Sequence, residues 1–396
     1  MRKTHAFALI AMAILLCGCG RQESVPEQPV QTSATVGTTL TTLPETTTEL
    51  TTTTTTDVYT PPSSPSLTSR LNAMSLREKV SQMILACCSD EGSADFAAAN
   101  GAGGLCLFAP PFEGKTQWGV QQMIHRFQSE ATYPMLVAVD EEGGTVNRVS
   151  INPQIRPVPF SSPRYLLETG GTEALIDETR EKTHLLAMLG INCNLAPVCD
   201  VPMNDTDYIA ARCFSLDPNE AAENAAIVVS TMKRNGIGST LKHFPGYGGS
   251  GDTHKNMAYD ARDYSAFTEG DFLPFAAGIR AGADSVMVSH NIVQCMDPDS
   301  PASLSPEVHR ILREELGFTG VIISDDLGMN AITQFTGGQN PAIAAVLAGN
   351  DLLCYADFNG AADALERAAQ NGIISMEKID ASVLRILAWK QSLGLI

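Results

Sequence analysis

The 396-residue sequence is poor in basic residues, with 26 Lys+Arg against 44 Asp+Glu and a formal net charge of −18. A nucleic-acid binder needs a basic footprint, so that class is excluded. Aromatic residues make up only 6% of the chain. Past the N-terminus there is no apolar run of the roughly 20 residues that an internal membrane-spanning helix requires. None of the ten cysteines stands in C-x-x-C spacing, which argues against a zinc ribbon or a redox pair. No G-x-G-x-x-G follows the first predicted strand, so the nucleotide-binding doubly wound fold loses its main mark. What the chain does have is 44% hydrophobic residues, enough for a globular core.

The first seventy residues read as non-globular. Arg2 and Lys3 precede an uninterrupted apolar stretch, Ala6 to Leu16, as in a secretory signal. Leu16-Cys17-Gly18-Cys19 then resembles a bacterial lipobox, which implies cleavage after residue 18 and diacylation of Cys19. The competing reading is an ordinary signal peptide with two incidental cysteines. Two acyl chains suffice for stable anchoring, so the membrane enters only as the site of a lipid anchor. The expected location is the outer face of the bacterial cytoplasmic membrane, or another extracytoplasmic site. Residues 31–60 contain 16 threonines, including the run Thr51 to Thr56, and prolines punctuate the region out to Pro65. Such a segment cannot bury a core, so 19–70 is assigned as a disordered linker. The tail through Arg70 holds four Lys/Arg and five Asp/Glu, which leaves −17 on residues 71–396.

Residues 71–396 alternate strand and helix. Ser75-Leu76-Arg77-Glu78 is a capping box. Leu76, Val80, Met83 and Ile84 recur behind it at helical spacing, so the helix is carried through Ile84. Seven strands are predicted, at 104–108, 135–140, 191–197, 238–243, 285–290, 320–325 and 351–354. Helices are predicted between them at 120–129, 173–189, 220–235, 272–281, 306–316, 341–348 and 361–371, and a closing helix at 376–390. Continuous apolar strands separated by helices mean a parallel sheet covered on both faces. Seven or eight such units in this length predict a single (β/α)8 barrel of the TIM type.

Four apolar runs end in ionisable groups: Asp140, Lys242-His243, His290 and Asp325-Asp326. In a parallel barrel these strand ends converge on one face, where active sites form. One terminal Asp is commonly just a helix cap, but four such endings point to chemistry. The adjacent aspartates Asp325 and Asp326 cannot be told apart from residue type alone. Gly246-Tyr247-Gly248-Gly249-Ser250-Gly251 reads as a mobile loop, and it lacks the lysine of a phosphate-cradling loop.

Four segments carry a family resemblance. Lys242-His243-Phe244-Pro245-Gly246-Tyr247-Gly248, followed by Asp252-Thr253-His254, resembles the signature of glycoside hydrolase family 3 β-N-acetylglucosaminidases of the cell-wall-recycling type. Asp140-Glu141-Glu142-Gly143-Gly144 with Arg148 resembles that family's D-x-E-G-G segment. Ile209 to Phe214 resembles its arginine segment, and Ser324 to Met329 its nucleophile segment. The resemblance implies Asp325 as nucleophile, with Asp326 structural. It implies His254 as general acid/base with Asp252 as its partner. It places Asp140, Arg148, Arg212, Lys242 and His243 at sugar-binding positions, and assigns His290 no contact. Tyr247 departs from the pattern, where His is frequent.

The implied activity is an exo-acting, retaining β-N-acetylhexosaminidase on an N-acetylglucosamine-containing glycan of cell-wall or chitin type. A histidine with an ordinary pKa near 6.5 suits a proton shuttle at neutral pH. Two variants stay open, a phosphorylase that uses phosphate as acceptor and a broader β-glycosidase. A non-catalytic glycan-binding lipoprotein is the alternative from another class. No metal ligand pattern and no cofactor is called for. The cysteines outside the signal read as buried free thiols.

Overall fold

The computed structural model describes residues 65–396. The signal stretch, Cys19 and the Thr-rich tract lie outside the described residues. Eight parallel strands close into a barrel in sequential order, the last pairing with the first. They are β1 (Ile84–Cys88), β2 (Gly104–Leu107), β3 (Leu136–Val139), β4 (Cys193–Asn194), β5 (Gly238–Phe244), β6 (Ser285–Val288), β7 (Val321–Ser324) and β8 (Leu352–Tyr355). All of them are buried except at Tyr355, as expected of a parallel sheet covered by helices.

Several boundaries differ from expectation. The segment assigned to the linker up to residue 70 ends earlier, because Pro65–Ala73 is a helix. Its Leu67 and Leu71 are buried, and it lies against the closing helix Met376–Ser392. The helix begun by the Ser75/Glu78 capping box stops at Gln82, and Ile84 starts β1. Five consecutive apolar residues after an amphipathic helix keep its spacing by accident, and periodicity alone cannot separate such a run from a buried helix. The next helix, Glu91–Ala99, is capped by Asp90, whose Oδ1 accepts from the Ser93 N–H at 2.8 Å.

β4 is shorter than the 191–197 expected. Asn192 flanks it and uses its side-chain oxygen, at 2.9 Å, to take the Val137 N–H. Pro197 on the other side has no N–H to give. Asn194 lies within the strand and bonds both the N–H and the C=O of Glu141 with its amide, each at 2.9 Å. β4 thus exchanges ladder bonds for side-chain bonds that fix the start of the β3 loop. The eight described cysteines are all free thiols, and seven of them are buried.

The N-terminal mouth of the barrel is closed by buried and half-buried polar groups. Asp284 takes the Ser239 N–H at 2.9 Å, and Asp351 takes the Ile322 N–H at 2.9 Å while pairing with Arg313 and Arg385. Lys390, fully buried on the closing helix, donates to Gln82 Oε1 at 2.7 Å. Burial, with no facing carboxylate, pushes its ammonium down to about 7. Between pH 7 and the unfolded value near 10.5 the unfolded chain therefore binds more protons at this site, and stability rises with pH. Relative to Lys390→Met, the wild type is expected to gain about 1.4 kcal/mol per pH unit at most over that window. Urea melts of both proteins at pH 7, 8.5 and 10 measure this, and a difference that stays flat with pH would refute it.

Candidate active site

The C-terminal strand ends gather the ionisable groups expected there. Asp140 follows β3, and its Oδ1 lies 2.6 Å from Lys242 Nζ on β5. The same ammonium reaches Glu142 Oε1 at 2.7 Å. Glu142 in turn grips Arg212 in two bonds, 2.8 Å to Nε and 2.7 Å to Nη2. Lys242 and Glu142 are both buried, which is tolerable only because each charge is paired. Burial opposes the Glu142 charge, but Lys242 and Arg212 outweigh it and hold the carboxyl well below the usual range. Burial likewise opposes the Lys242 charge, and Asp140 and Glu142 reverse the balance and raise it.

Arg148 completes the cluster from the loop after β3. Its Nη2 is 3.5 Å from Asp140 Oδ2, and its guanidinium lies over the Phe108 ring at 5.5 Å from the centroid. The Arg148 Nε is buried without a hydrogen-bond partner. Glu141 shapes this loop by accepting the N–H groups of Arg148, Val149 and Ser150 at 2.8, 2.7 and 3.1 Å. Gly143 is required here, since its φ is +103° and a Cβ would fall 2.0 Å from the Ser161 carbonyl oxygen.

His243, next on β5, lies 3.3 Å from Arg212 Nη2 through Nε2 and 2.7 Å from Asp200 through Nδ1. A guanidinium only donates, so Nε2 is the acceptor and Nδ1–H points to Asp200. Asp200 also takes the N–H groups of His243 and Tyr247, at 3.1 and 2.8 Å. The five expected binding residues thus form one connected cluster.

Asp325 follows β7, and its Oδ1 accepts the Asp326 N–H at 2.9 Å. Burial disfavours its charge, but His290, His243 and the Asp326 N–H prevail and lower its pKa. Asp326 behaves oppositely. Burial and the charge of Asp325 push it up to about 6, although it caps its own turn through the Gly328 N–H at 2.9 Å. His290 is buried behind this turn. It donates from Nε2 to the Asp326 carbonyl at 2.9 Å, and its Nδ1 lies 2.7 Å from the Ser303 hydroxyl. The residue left without a contact in the sequence reading thus braces the Asp325-Asp326 turn.

Asp252 and His254 are paired on the loop after β5, with Oδ1 2.9 Å from Nδ1. The His254 side chain is 61% exposed, so Nε2 faces solvent or a ligand. Its charge contributes to lowering Asp325. Tyr208 adds a hydroxyl 3.4 Å from His254 Nδ1. Between the pair, Thr253 is wholly buried, so the chain is anchored just past the glycine-rich stretch 246–251.

Glu142, Asp200, Tyr208 and Thr253 were not assigned roles from sequence. Glu142 lies inside the D-x-E-G-G segment, and Asp200 ends the apolar run Leu195 to Cys199. Each carried a signal that was readable. Tyr208 and Thr253 carried none, since their positions depend on loops meeting across the barrel mouth.

A closed parallel barrel with paired carboxylates, a histidine and cationic groups at its C-terminal face has the layout of a (β/α)8 enzyme. Residues 75–389 match the family model for the glycosyl hydrolase family 3 N-terminal domain. A β-hexosaminidase of Xanthomonas campestris pv. campestris is 33% identical over 272 residues, covering 67% of this chain and 80% of that protein. One from Stenotrophomonas maltophilia is 36% identical over 272 residues, covering 67% and 79%. Among solved structures, a family 3 β-N-acetylglucosaminidase from Paenibacillus sp. superposes with a TM-score of 0.77 at 31% identity. That match covers 82% of this chain and 63% of the Paenibacillus chain, so this chain spans less than two thirds of that protein. A β-N-acetylhexosaminidase from Beutenbergia cavernae gives 0.71 at 27% identity, covering 80% of this chain and 99% of that one. The chain belongs to glycosyl hydrolase family 3.

Removing one partner of a buried ion pair leaves an uncompensated charge. Glu142→Ala is therefore expected to destabilise the fold by about 3–5 kcal/mol, with Glu142→Gln less damaging. Urea unfolding of the three proteins measures this, and a loss below about 1 kcal/mol for the alanine variant would refute the pairing.

Proposed function

We propose that the protein is an exo-acting, retaining β-N-acetylhexosaminidase that removes terminal β-linked N-acetylglucosamine from cell-wall or chitin-like glycans. The observation that carries this reading is the contrast at the barrel mouth. Asp325 is held ionised at a strand end, while His254 has Nδ1 fixed by Asp252 and Nε2 open. The names of the relatives support the sugar.

In this mechanism the Asp325 carboxylate attacks the anomeric carbon and forms a glycosyl-enzyme ester. The glycosidic oxygen leaves with the proton from His254 Nε2, so the imidazolium becomes neutral. Asp252 stabilises that imidazolium and holds the ring orientation, as an acid partner does in other hydrolases. Neutral His254 then takes a proton from water, the hydroxide attacks the anomeric carbon, and the Asp325 carboxylate is released. Asp326 is assigned to the turn, since its carboxyl caps Gly328 and sits nearer neutrality. Asp140, Arg148, Arg212, Lys242 and His243 bind the sugar.

Asp325→Ala is expected to lower kcat by about 10^4-fold or more, with no glycosyl-enzyme in intact-protein mass spectra. His254→Ala is expected to slow poor leaving groups by about 10^2–10^4-fold and activated aryl β-N-acetylglucosaminides far less. Tight glycan binding without turnover by the wild type would overturn the enzyme reading in favour of a binding lipoprotein. Sugar 1-phosphate appearing on addition of inorganic phosphate would instead make the protein a phosphorylase.

We also propose that the protein is a lipoprotein held outside the membrane through Cys19. Labelled palmitate is expected to enter the wild type and not Cys19→Ala, and equal labelling of both would overturn this.

A further inference from the structure

The acid/base pair rides on a loop that is closely packed at its start and open around the pair. A Cβ on Gly248 would fall 2.4 Å from the Arg262 guanidinium, whereas nothing comes within 4 Å of one placed on Gly251. His254 and Lys255 project outward, with side chains 61% and 77% exposed. The buried residue at its centre is Thr253, between the two members of the pair. The Thr253 hydroxyl meets the Tyr247 hydroxyl at 2.6 Å, and both side chains are inaccessible to solvent. The Thr253 carbonyl also accepts, at 3.4 Å, the Ala331 N–H from the helix Asn330–Phe335 that follows the Asp325-Asp326 turn.

Tyr247 is itself tied to the sugar-binding cluster. Its N–H donates to Asp200 Oδ1 at 2.8 Å, and Asp200 holds His243 through its other oxygen. The Tyr247 ring packs edge-on against His243, with centroids 5.2 Å apart, and against Tyr208 at 6.0 Å. The ring is therefore held on two sides, and its backbone by Asp200, before its hydroxyl reaches the loop. Phenylalanine would fill the same volume and lose only that one bond.

Resting on the function proposed above, we infer that the Tyr247 hydroxyl is a positioning group for the Asp252/His254 pair and sets the enzyme's selectivity for leaving groups. A bond to Thr253 fixes the backbone on which both members sit, and with it the reach of His254 Nε2. Small misplacements of a proton donor cost as much as about 10^2-fold in rate. That cost falls only on substrates whose leaving oxygen needs the proton.

The test compares kcat/KM for two β-N-acetylglucosaminides, one with a dinitrophenyl group and one with a second N-acetylglucosamine as leaving group. Tyr247→Phe and Thr253→Val are each expected to lower the disaccharide value about 10- to 100-fold and the aryl value less than about threefold. The double variant is expected to cost little more than either single one, because both remove the same bond. Thr253→Ser keeps a hydroxyl and is expected to recover most of the loss seen with Thr253→Val. Equal losses on both substrates, additive losses in the double variant, or no loss on the disaccharide would each overturn the inference. If Tyr247→Phe fails to fold, the Thr253→Val and Thr253→Ser pair decides it alone. A wild type inactive on both substrates would overturn the underlying hydrolase reading, and that result is seen before any variant is compared.

Discussion

The site depends on a buried ammonium. Lys242 Nζ sits on β5 inside the barrel mouth with essentially no exposure, and such a charge survives only among carboxylates. Asp140 and Glu142, two residues apart in the loop after β3, meet that need. Glu142 then has capacity left for Arg212, which approaches His243, which leans on Asp200. Each polar group is placed by the demand of its neighbour, and the charge-assisted pairs hold the cluster rigid. Buried networks of this kind specify one arrangement, because partial satisfaction leaves costly groups unpaired.

The barrel uses its two ends differently. At the N-terminal end Asp284, Asp351 and Lys390 close backbone and helix contacts, and their partners are structural. At the C-terminal end, charged groups gather beside open surface, such as the exposed edge of His254. A parallel barrel makes this division natural, since long loops follow only the C-terminal strand ends. The same geometry separates two adjacent aspartates. Asp325 faces histidines and an N–H, while Asp326 turns its carboxylate to Gly328 and gives its carbonyl to His290.

Much of this was legible in the residues. Seven of eight strands stood out as short apolar runs, and the ionisable endings at Asp140, Lys242-His243, His290 and Asp325 marked the working face. β1 was hidden because Ile84 continues the helical spacing of Val80 and Met83. The helix from Pro65 was hidden because its proline, serines and threonine match the linker before it. Within the site, the family segments pointed to the residues of the cluster but said nothing of who pairs with whom. Asp200 and Tyr208 reach their partners only after loops of unrelated sequence meet over the barrel.

The sequence by itself determined the barrel, the face that carries the chemistry and the residue types on it. Hydrophobic periodicity and strand-end polarity are local properties of the chain, so they are readable along it. Only the tertiary structure decided that Glu142 shares Lys242 with Asp140, that Asp325 and Asp326 ionise differently, and that Tyr247 holds Thr253. Pairing, burial and the shifts that follow arise from groups far apart in sequence sharing one low-dielectric space. No window of residues contains that information.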